Sequence, residues 1–314
     1  MPSVPCATLG AVWIPQVHRQ VGRFYDGGVP ARGAEPGEPP SRGRAPRIVL
    51  ERHTDTGLES FGMQRRIAYD DRRLGELLVP ADPDVFRTDL TSVPALLTWL
   101  VPKTGAHLPA ALLHDGLVRD PEEPASYVST QGRRVDRVEA DRVFRDAMAD
   151  TGTGVVRRWL VWSAVTVATL VLGRGLAWSG ARTWRYRAAV ALTVGVVVVL
   201  GISAVADLFD ASWPLTFEVP WMGERPWRVE LAGGFAGAVT IPLLLGLAWG
   251  RFRAAGAIVG VLLAVLLPVT LALAVVAGTY VVIEVLATRW PALAAGLGAA
   301  VVAGSVTVMA VLLL

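Results

Sequence analysis

The sequence predicts a small α+β soluble domain followed by an all-α membrane domain of about four transmembrane helices. From about Ala188 onward, apolar blocks long enough to cross a bilayer alternate with short loops that carry few charges. Before about Gly152, charged residues and prolines are dense, and no apolar run reaches spanning length. The composition agrees, because 53% of the residues are hydrophobic and 18% are charged, whereas soluble domains average about 45–50% and about 25%.

Residues 1–46 are predicted to be a flexible N-terminal segment. The stretch 27–46 is rich in Pro, Gly, Arg and Glu and has no periodic apolar pattern, which is typical of a disordered linker or an exposed loop. Residues 1–15 lack a basic region and contain three prolines, so we expect no secretory signal there. Cys6 is the single cysteine, which excludes an internal disulfide.

Residues 47–178 are predicted to form the soluble domain. Its first part contains short apolar runs separated by turns rich in Gly and Asp, which indicate β-strands at 48–50, 63–69 and 77–79. Capping residues and longer apolar patterns then indicate three helices, at 91–101, 108–118 and 134–150. Strands followed by helices are typical of an α+β domain.

Residues 188–314 are predicted to form the transmembrane domain. A spanning helix needs about 20 mostly apolar residues. Four stretches meet this requirement, at 188–206, 231–249, 254–287 and 291–314. Tryptophans lie near the proposed ends, as in the aromatic belt of a membrane protein.

The apolar stretch 159–172 is ambiguous, because it is barely long enough to span and arginines flank it on both sides. Arginines also precede residue 188 and lie between the second and third predicted spans, whereas the loop 207–230 is mostly acidic. The positive-inside rule therefore places the arginine loops in the cytoplasm. The simplest prediction assigns 159–172 to the soluble domain. Four spans then leave both termini inside, and the protein lies in the cell (inner) membrane.

The lipid bilayer is the predicted partner of the C-terminal half. A net charge of +3 is small for 314 residues and gives no case for nucleic acid as a partner. Ionisable residues are scarce inside the predicted spans, which favours packing and anchoring over a channel or a pump. The sequence does not indicate a particular protein partner.

His114 and Asp141 lie on helix faces that are otherwise apolar. The neighbours of His114 at three and four residues are all apolar: Ala110, Ala111, Leu117 and Val118. Asp141 lies between Val138 and Phe144 on the predicted buried stripe. Because an ionised carboxylate is costly there unless it is paired, we predict that Asp141 contacts His114 in the fold.

Such a pair has a chemical use and a structural alternative. A carboxylate on one ring nitrogen leaves the other free to take a proton from water or a hydroxyl, so His114 and Asp141 form a hypothetical catalytic dyad. Asp115 and Asp89 are hypothetical ligands of a divalent cation. Alternatively, the pair only ties two helices together. Ser92 as a nucleophile is a further possibility, although its neighbours suit a helix cap better.

The other histidines have no partner that the sequence identifies. We therefore predict surface or loop positions for His18, His53 and His107.

The order and spacing of these residues resemble the domain of unknown function 1353 family over roughly residues 47–173. The similarity is carried by Thr88-Asp89, Ser92-Val93-Pro94, Leu113-His114-Asp115-Gly116-Leu117, and Ala140-Asp141 with Phe144 and Met148. The resemblance implies an association with phages and prophages, and it implies that 159–172 is the family's final helix. It implies no mechanism, because the family has no established activity.

A looser similarity links the His-Asp and Ala-Asp helices to phospholipase A2-like enzymes. That similarity implies that His114 activates water, that Asp115 binds calcium and that Asp141 supports the histidine. Two features depart from it: Val118 stands where a tyrosine is expected, and no clear glycine-rich calcium loop is present.

Two functions therefore remain open. The first is a membrane-tethered binding or assembly module. The second is a His/Asp hydrolase at the membrane surface, phospholipase-like and metal-assisted.

Overall fold

The protein combines an α+β domain with a series of long helices, as predicted. A computed structural model describes residues 22–31, 36–54, 60–90, 102, 104–118, 122–174, 176–211, 216–222 and 225–312. The strands are β1 (Phe24–Asp26), β2 (Leu50–His53), β3 (Ser60–Met63), β4 (Ile67–Asp71), β5 (Gly75–Val79) and β6 (Val128–Ser129). The helices are α1 (Leu108–Leu117), α2 (Arg137–Asp150), α3 (Val155–Leu172), α4 (Gly180–Leu208), α5 (Trp227–Gly246), α6 (Arg253–Arg289) and α7 (Pro291–Leu312).

The described strands form two antiparallel sheets. The larger has four strands in the order β1-β4-β5-β6, and the smaller pairs β2 with β3. In the larger sheet, Tyr69 lies opposite Phe24 on one side and Leu77 on the other. These three side chains belong to the main hydrophobic core, which also contains residues of α1 and α2. One face of the sheet is therefore covered by the two helices.

Strand β1 lies within the segment that was predicted to be flexible as far as residue 46. Phe24 and Tyr25 are buried, and further bridges join Asp26 to Ser41 and Val29 to Glu38. The described residues from 22 to 46 thus belong to the sheet domain, in contrast to that prediction. The reason is that three residues are too few to show a periodic pattern, and the Gly-rich and Pro-rich composition around them suggested a loop.

Helices α1 and α2 lie where the sequence predicted helices at 108–118 and 134–150. The side chain of Asp136 caps α2 by accepting a hydrogen bond of 2.7 Å from the backbone N–H of Glu139. Helix α1 approaches β5 closely at Gly116, where an added Cβ would lie 2.3 Å from Cγ1 of Val79. This contact leaves no room for a side chain, so glycine fixes the distance between α1 and the sheet. The helix predicted at 91–101 lies outside the described residues.

Helix α3 packs on both halves of the protein. Val161 and Trp162 belong to the core of the sheet domain, together with Ala255 at the start of α6. Leu170 belongs to a second cluster, with Tyr186 of α4 and the buried Trp249. The prediction that assigned this stretch to the soluble domain alone therefore describes only part of its packing. An apolar sequence does not reveal which partner each face will contact.

Helices α5 and α6 form an antiparallel hairpin. A 3₁₀ turn over Leu247–Phe252 joins them, and within it Gly250 has φ +58° and ψ −117°, a conformation that strongly favours glycine. Two glycines bring the helices close: a Cβ on Gly246 would lie 2.7 Å from the backbone N of Ala257, and a Cβ on Gly260 would lie 2.7 Å from Cβ of Pro242. Small residues at such crossings are typical of helices that pack in a membrane.

Three segments of the described chain are long and apolar enough to cross a membrane: Val155–Leu172, Gly180–Leu208 and Trp227–Leu266. The third contains α5, the 3₁₀ turn and the first part of α6, and therefore corresponds to two arms of a hairpin. The predicted spans at 188–206, 231–249, 254–287 and 291–314 fall within α4, within α5 and its turn, within α6 and largely within α7, respectively. The described helices thus fit a membrane protein, with α3 as an additional candidate span.

An aromatic and arginine cluster lies where α4 begins and α5 ends. The rings of Trp178, Tyr186 and Phe252 pack together with centroids 5.1–5.9 Å apart. The guanidinium of Arg251 lies over the Trp178 ring at 5.1 Å. Val138 of α2 packs against the same cluster. The arginine-bearing end of the helices therefore lies beside the sheet domain.

Candidate functional site

His114 and Asp141 meet where α1 packs against α2. Nε2 of His114 and Oδ1 of Asp141 are 2.9 Å apart, so the predicted contact between these side chains is present. The imidazole also stacks on Phe144, with ring centroids 4.7 Å apart. Phe144 follows Asp141 by less than one helical turn, so one face of α2 supplies both the carboxylate and the stacking ring. The histidine is thereby held in one orientation.

The two partners differ in their access to solvent. The side chain of Asp141 is only 4% exposed, whereas that of His114 is 12% exposed. Oδ2 of Asp141 is buried and has no hydrogen-bond partner within the part of the chain that the structure describes. The carboxylate can therefore act on other molecules only through the imidazole. With Nε2 engaged, Nδ1 is the ring nitrogen left to exchange a proton with another molecule.

Asp115 faces a different neighbour, the strand-like segment that precedes α1. Its Oδ2 accepts a hydrogen bond of 2.5 Å from the hydroxyl of Thr88. Thr88 is fixed in turn, because its backbone pairs with that of Phe61 and its Oγ1 accepts from the N–H of Leu90 at 2.8 Å. Leu90 has φ +71°, an uncommon conformation for a non-glycine residue. The backbone is thus bent sharply beside the Asp115 carboxyl.

The pKa of Asp115 is raised to about 6. Burial is the main cause, and the negative charge of Asp89 adds to it, whereas the hydrogen bond from Thr88 and the charge of His114 act in the opposite direction. Asp115 therefore changes its charge close to physiological pH, unlike an ordinary aspartate. A carboxyl of this kind, adjacent in sequence to the dyad, is typical of functional sites.

Replacing Asp115 with asparagine is expected to stabilise the protein at pH 8 by about 1–3 kcal/mol. Because its pKa is higher in the folded state than in the unfolded chain, Asp115 favours folding fully below pH about 4, and this contribution is lost as the pH rises through about 6. Asparagine cannot ionise, yet it can still accept the hydrogen bond from Thr88. Unfolding measurements at pH 4 and pH 8 test this, with exposed Glu122→Gln as the control. An equal effect of Asp115→Asn at both pH values would contradict it.

The predicted metal role of Asp89 and Asp115 stays a prediction. Among the described residues, no group of three or more His, Cys, Asp or Glu side chains is placed to hold a metal ion. The two carboxylates are nevertheless close enough for the charge of Asp89 to affect the pKa of Asp115. Two carboxylates can bind a divalent cation when water or a substrate completes its coordination. Ser92, the hypothetical nucleophile, lies outside the described residues.

Arg142, which the sequence did not single out, fixes the helix that carries Asp141. Its guanidinium lies 2.9 Å from Oδ1 of Asp71 at the end of β4. It also contacts Glu139 at 2.7 Å and Asp146 at 3.0 Å on its own helix. The side chain of Asp71 is fully buried, so this ion pair joins α2 to the sheet across the core. The sequence feature that could have indicated this role is the pair of acidic residues, Glu139 and Asp146, that flank Arg142 at helical spacing.

His107 corrects the prediction that it lies on the surface. It is fully buried at the N-terminus of α1, and this burial lowers the pKa of His107, which favours the neutral ring. The apolar residues that follow it, beginning with Leu108, pack in the core, and this packing buries His107 as well. His53 is partly exposed on β2, and His18 lies outside the described residues.

Comparison with known protein families gives a match to part of the chain. Residues 62–165 match the model of the family described as "Protein of unknown function (DUF1353)". No curated protein and no solved structure matches the chain significantly. The matched residues run from β3 into α3 and include His114, Asp115 and Asp141. Residues 62–165 therefore form a domain of the DUF1353 family, and this chain joins it to apolar helices compatible with a membrane protein.

Proposed function

We propose that the chain is a membrane-tethered binding or assembly module, with its DUF1353 domain held at the cytoplasmic face of the cell membrane. The packing of α3 carries the proposal, because Val161 and Trp162 enter the core of the domain while Leu170 enters the cluster of the long helices. Buried side chains on both faces keep the domain at a fixed position, which a loose linker would not do. Its site at His114 and Asp115 then acts on partners that come to the membrane surface.

The arrangement of the arginines supports the cytoplasmic orientation. Arg251 packs on Trp178 in the cluster that also contacts Val138 of the domain. The domain and the arginine-bearing loops thus lie at one end of the helices, and the positive-inside rule assigns that end to the cytoplasm.

Single-cysteine labelling tests the orientation. In a Cys6→Ser background, cysteine replaces the exposed Arg133 of the domain or the exposed Phe217 of the loop between α4 and α5. With a membrane-impermeant maleimide on intact expressing cells, we expect Phe217→Cys to react and Arg133→Cys to react only after lysis. The reverse pattern would overturn the proposed orientation.

The second candidate function is a His/Asp hydrolase at the membrane surface, and the 2.9 Å contact between His114 and Asp141 favours it. In this reading Asp141 orients the ring, and Nδ1 of His114 takes a proton from the water that attacks the ester carbonyl. Asp115 and Asp89 would hold a divalent cation, which would supply Lewis-acid polarisation of the ester. The bilayer would supply phospholipid esters as the nearest substrates.

A hydrolysis assay separates the two functions. The full chain is reconstituted into phospholipid vesicles, because Ala255 of α6 completes the core of the domain. Release of fatty acid and of a soluble chromogenic ester product is measured with and without Ca²⁺ or Mg²⁺. A hydrolase should lose about 10²–10⁴-fold in rate on His114→Ala and retain its rate on His53→Ala. Equal rates for wild type and His114→Ala would exclude hydrolysis at this site and leave the binding module.

A further inference from the structure

A large apolar cavity lies among α4, α5 and α6, away from the DUF1353 domain. Its volume is about 550 Å³, and Val197, Leu208, Pro242 and Ala264 are among the residues that line it. This volume is within the range of about 300–1,000 Å³ that is typical of small-ligand sites. The His114 site plays no part in it, so the cavity is independent of the function proposed above.

The depth of the cavity matches one leaflet of a bilayer. From Val197 to Leu208 helix α4 rises about 16 Å, and α6 has also risen about 16 Å from Arg253 when it reaches Ala264. Half of a hydrocarbon core is about 15 Å thick. The cavity therefore extends from near the bilayer midplane to the interface at the end of α4, on the side opposite the arginine-bearing end. An acyl chain has the length and polarity to occupy this space.

Among the described residues that line this apolar space, Glu230 supplies the only carboxylate, and it lies at the outer end of the cavity. Glu230 lines the cavity, although the residue as a whole is only 7% exposed. Its Oε1 accepts a hydrogen bond from the backbone N of Arg225, which is long at 3.3 Å. A carboxylate in apolar surroundings is costly unless a cation or a donor pairs with it. A primary ammonium group at the mouth of the cavity would supply both a charge and three donors.

Arg225, whose backbone N–H reaches the Glu230 carboxylate, also supplies a cation at this end of the cavity. The exposed guanidinium of Arg225 is held near the mouth by a hydrogen bond of 3.0 Å from its Nη1 to the backbone O of Trp221, and Trp221 itself lines the cavity. A carboxylate and a guanidinium thus both lie close to one end of an apolar space. The groups of an aminophospholipid that would fit are an acyl chain, an ammonium and a phosphate.

We propose that this cavity binds a phospholipid whose headgroup carries a primary ammonium, such as phosphatidylethanolamine, from the leaflet remote from the DUF1353 domain. One acyl chain fills the cavity between α4 and α6. The ammonium pairs with Glu230, and the phosphate pairs with Arg225. Glu230 favours a primary ammonium over the trimethylated ammonium of phosphatidylcholine, because the trimethylated group has no N–H to donate to the carboxylate.

Competitive lipid binding to the full chain tests the proposal. The detergent-solubilised protein is mixed with equal amounts of phosphatidylethanolamine and phosphatidylcholine that have identical acyl chains, and retained lipid is counted by native mass spectrometry. We expect at least a tenfold preference for phosphatidylethanolamine. Glu230→Gln should reduce the preference to near equality, whereas Glu218→Gln, an exposed change in the loop between α4 and α5, should leave it intact.

A second pair of variants tests the cavity itself without changing its charge. Ala204→Phe places a ring in the cavity and should abolish retention of both lipids. Val199→Phe, on a lipid-facing part of the same helix, should not. No headgroup preference in the wild type, a preference that survives Glu230→Gln, or retention that survives Ala204→Phe would each overturn the proposal.

Discussion

Replacing Arg142 with methionine is expected to destabilise the DUF1353 domain by about 3–5 kcal/mol. The change leaves the fully buried carboxylate of Asp71 without the guanidinium that lies 2.9 Å away. Methionine retains the apolar stem of the side chain, so most of the loss reports the unpaired charge rather than lost packing. Urea-induced unfolding in detergent micelles, followed by pulse proteolysis of the domain, measures the change. Arg134→Met, an exposed substitution just before α2, is the control and should stay within about 0.5 kcal/mol.

The same ion pair predicts how stability depends on acid. Burial alone would raise the pKa of Asp71, but hydrogen bonds from Arg142 and from the backbone N–H groups of Arg73 and Leu74 outweigh it, so the pKa is lowered. The stabilisation is therefore present above the ordinary aspartate pKa of about 4 and is lost as the pH falls through the lower value of the folded state. Arg142→Met should remove this acid dependence, and a variant that kept it would contradict the assignment.

Replacing Trp249 with alanine is expected to cost about 3–5 kcal/mol. Trp249 is fully buried between α3 and α4, and its indole N–H donates a hydrogen bond of 3.0 Å to Oγ1 of Thr193. Alanine leaves a cavity that the neighbouring helices cannot close, and it leaves Thr193 without its donor. Thermal unfolding in nanodiscs should show the loss. Trp184→Ala provides the matched control, since Trp184 on α4 is 72% exposed.

Trp249→Phe separates the two contributions in this prediction. Phenylalanine retains most of the ring volume and lacks the donor, so its cost should be about 1–2 kcal/mol. If Trp249→Phe lost as much stability as Trp249→Ala, the hydrogen bond to Thr193, rather than packing, would be the main contribution of Trp249 to the cluster.

The sequence predicted the helices of the site well because their apolar periodicity is strong. The predicted helices at 108–118 and 134–150 agree with α1 and α2 within three residues. His114 and Asp141 interrupted two apolar faces, and a buried charge requires a partner, so their contact followed from the chemistry of burial. The roles of these residues in catalysis or metal binding remain predictions.

Other features depend on distances that no local pattern contains. The pair of Arg142 with Asp71 joins residues 71 positions apart, and the bond of Thr88 to Asp115 crosses between separate elements. Strand β1 is too short to show a period. The residues of α3 are apolar on every face, so its sequence is compatible with contact to lipid or to protein. Only the folded chain shows that some of these residues belong to the core of the sheet domain and others to the cluster of the long helices.

The shared packing of α3 has a consequence for how the protein is made. Ala255, fully buried in the core of the DUF1353 domain, is synthesised long after α2 has left the ribosome. Until α6 is inserted, Val161 and Trp162 lack their packing contacts with that helix, and the nascent domain exposes apolar surface. Maturation of the domain must therefore wait for insertion of the helices. A chain truncated after α3 is therefore expected to aggregate rather than to fold into a soluble domain.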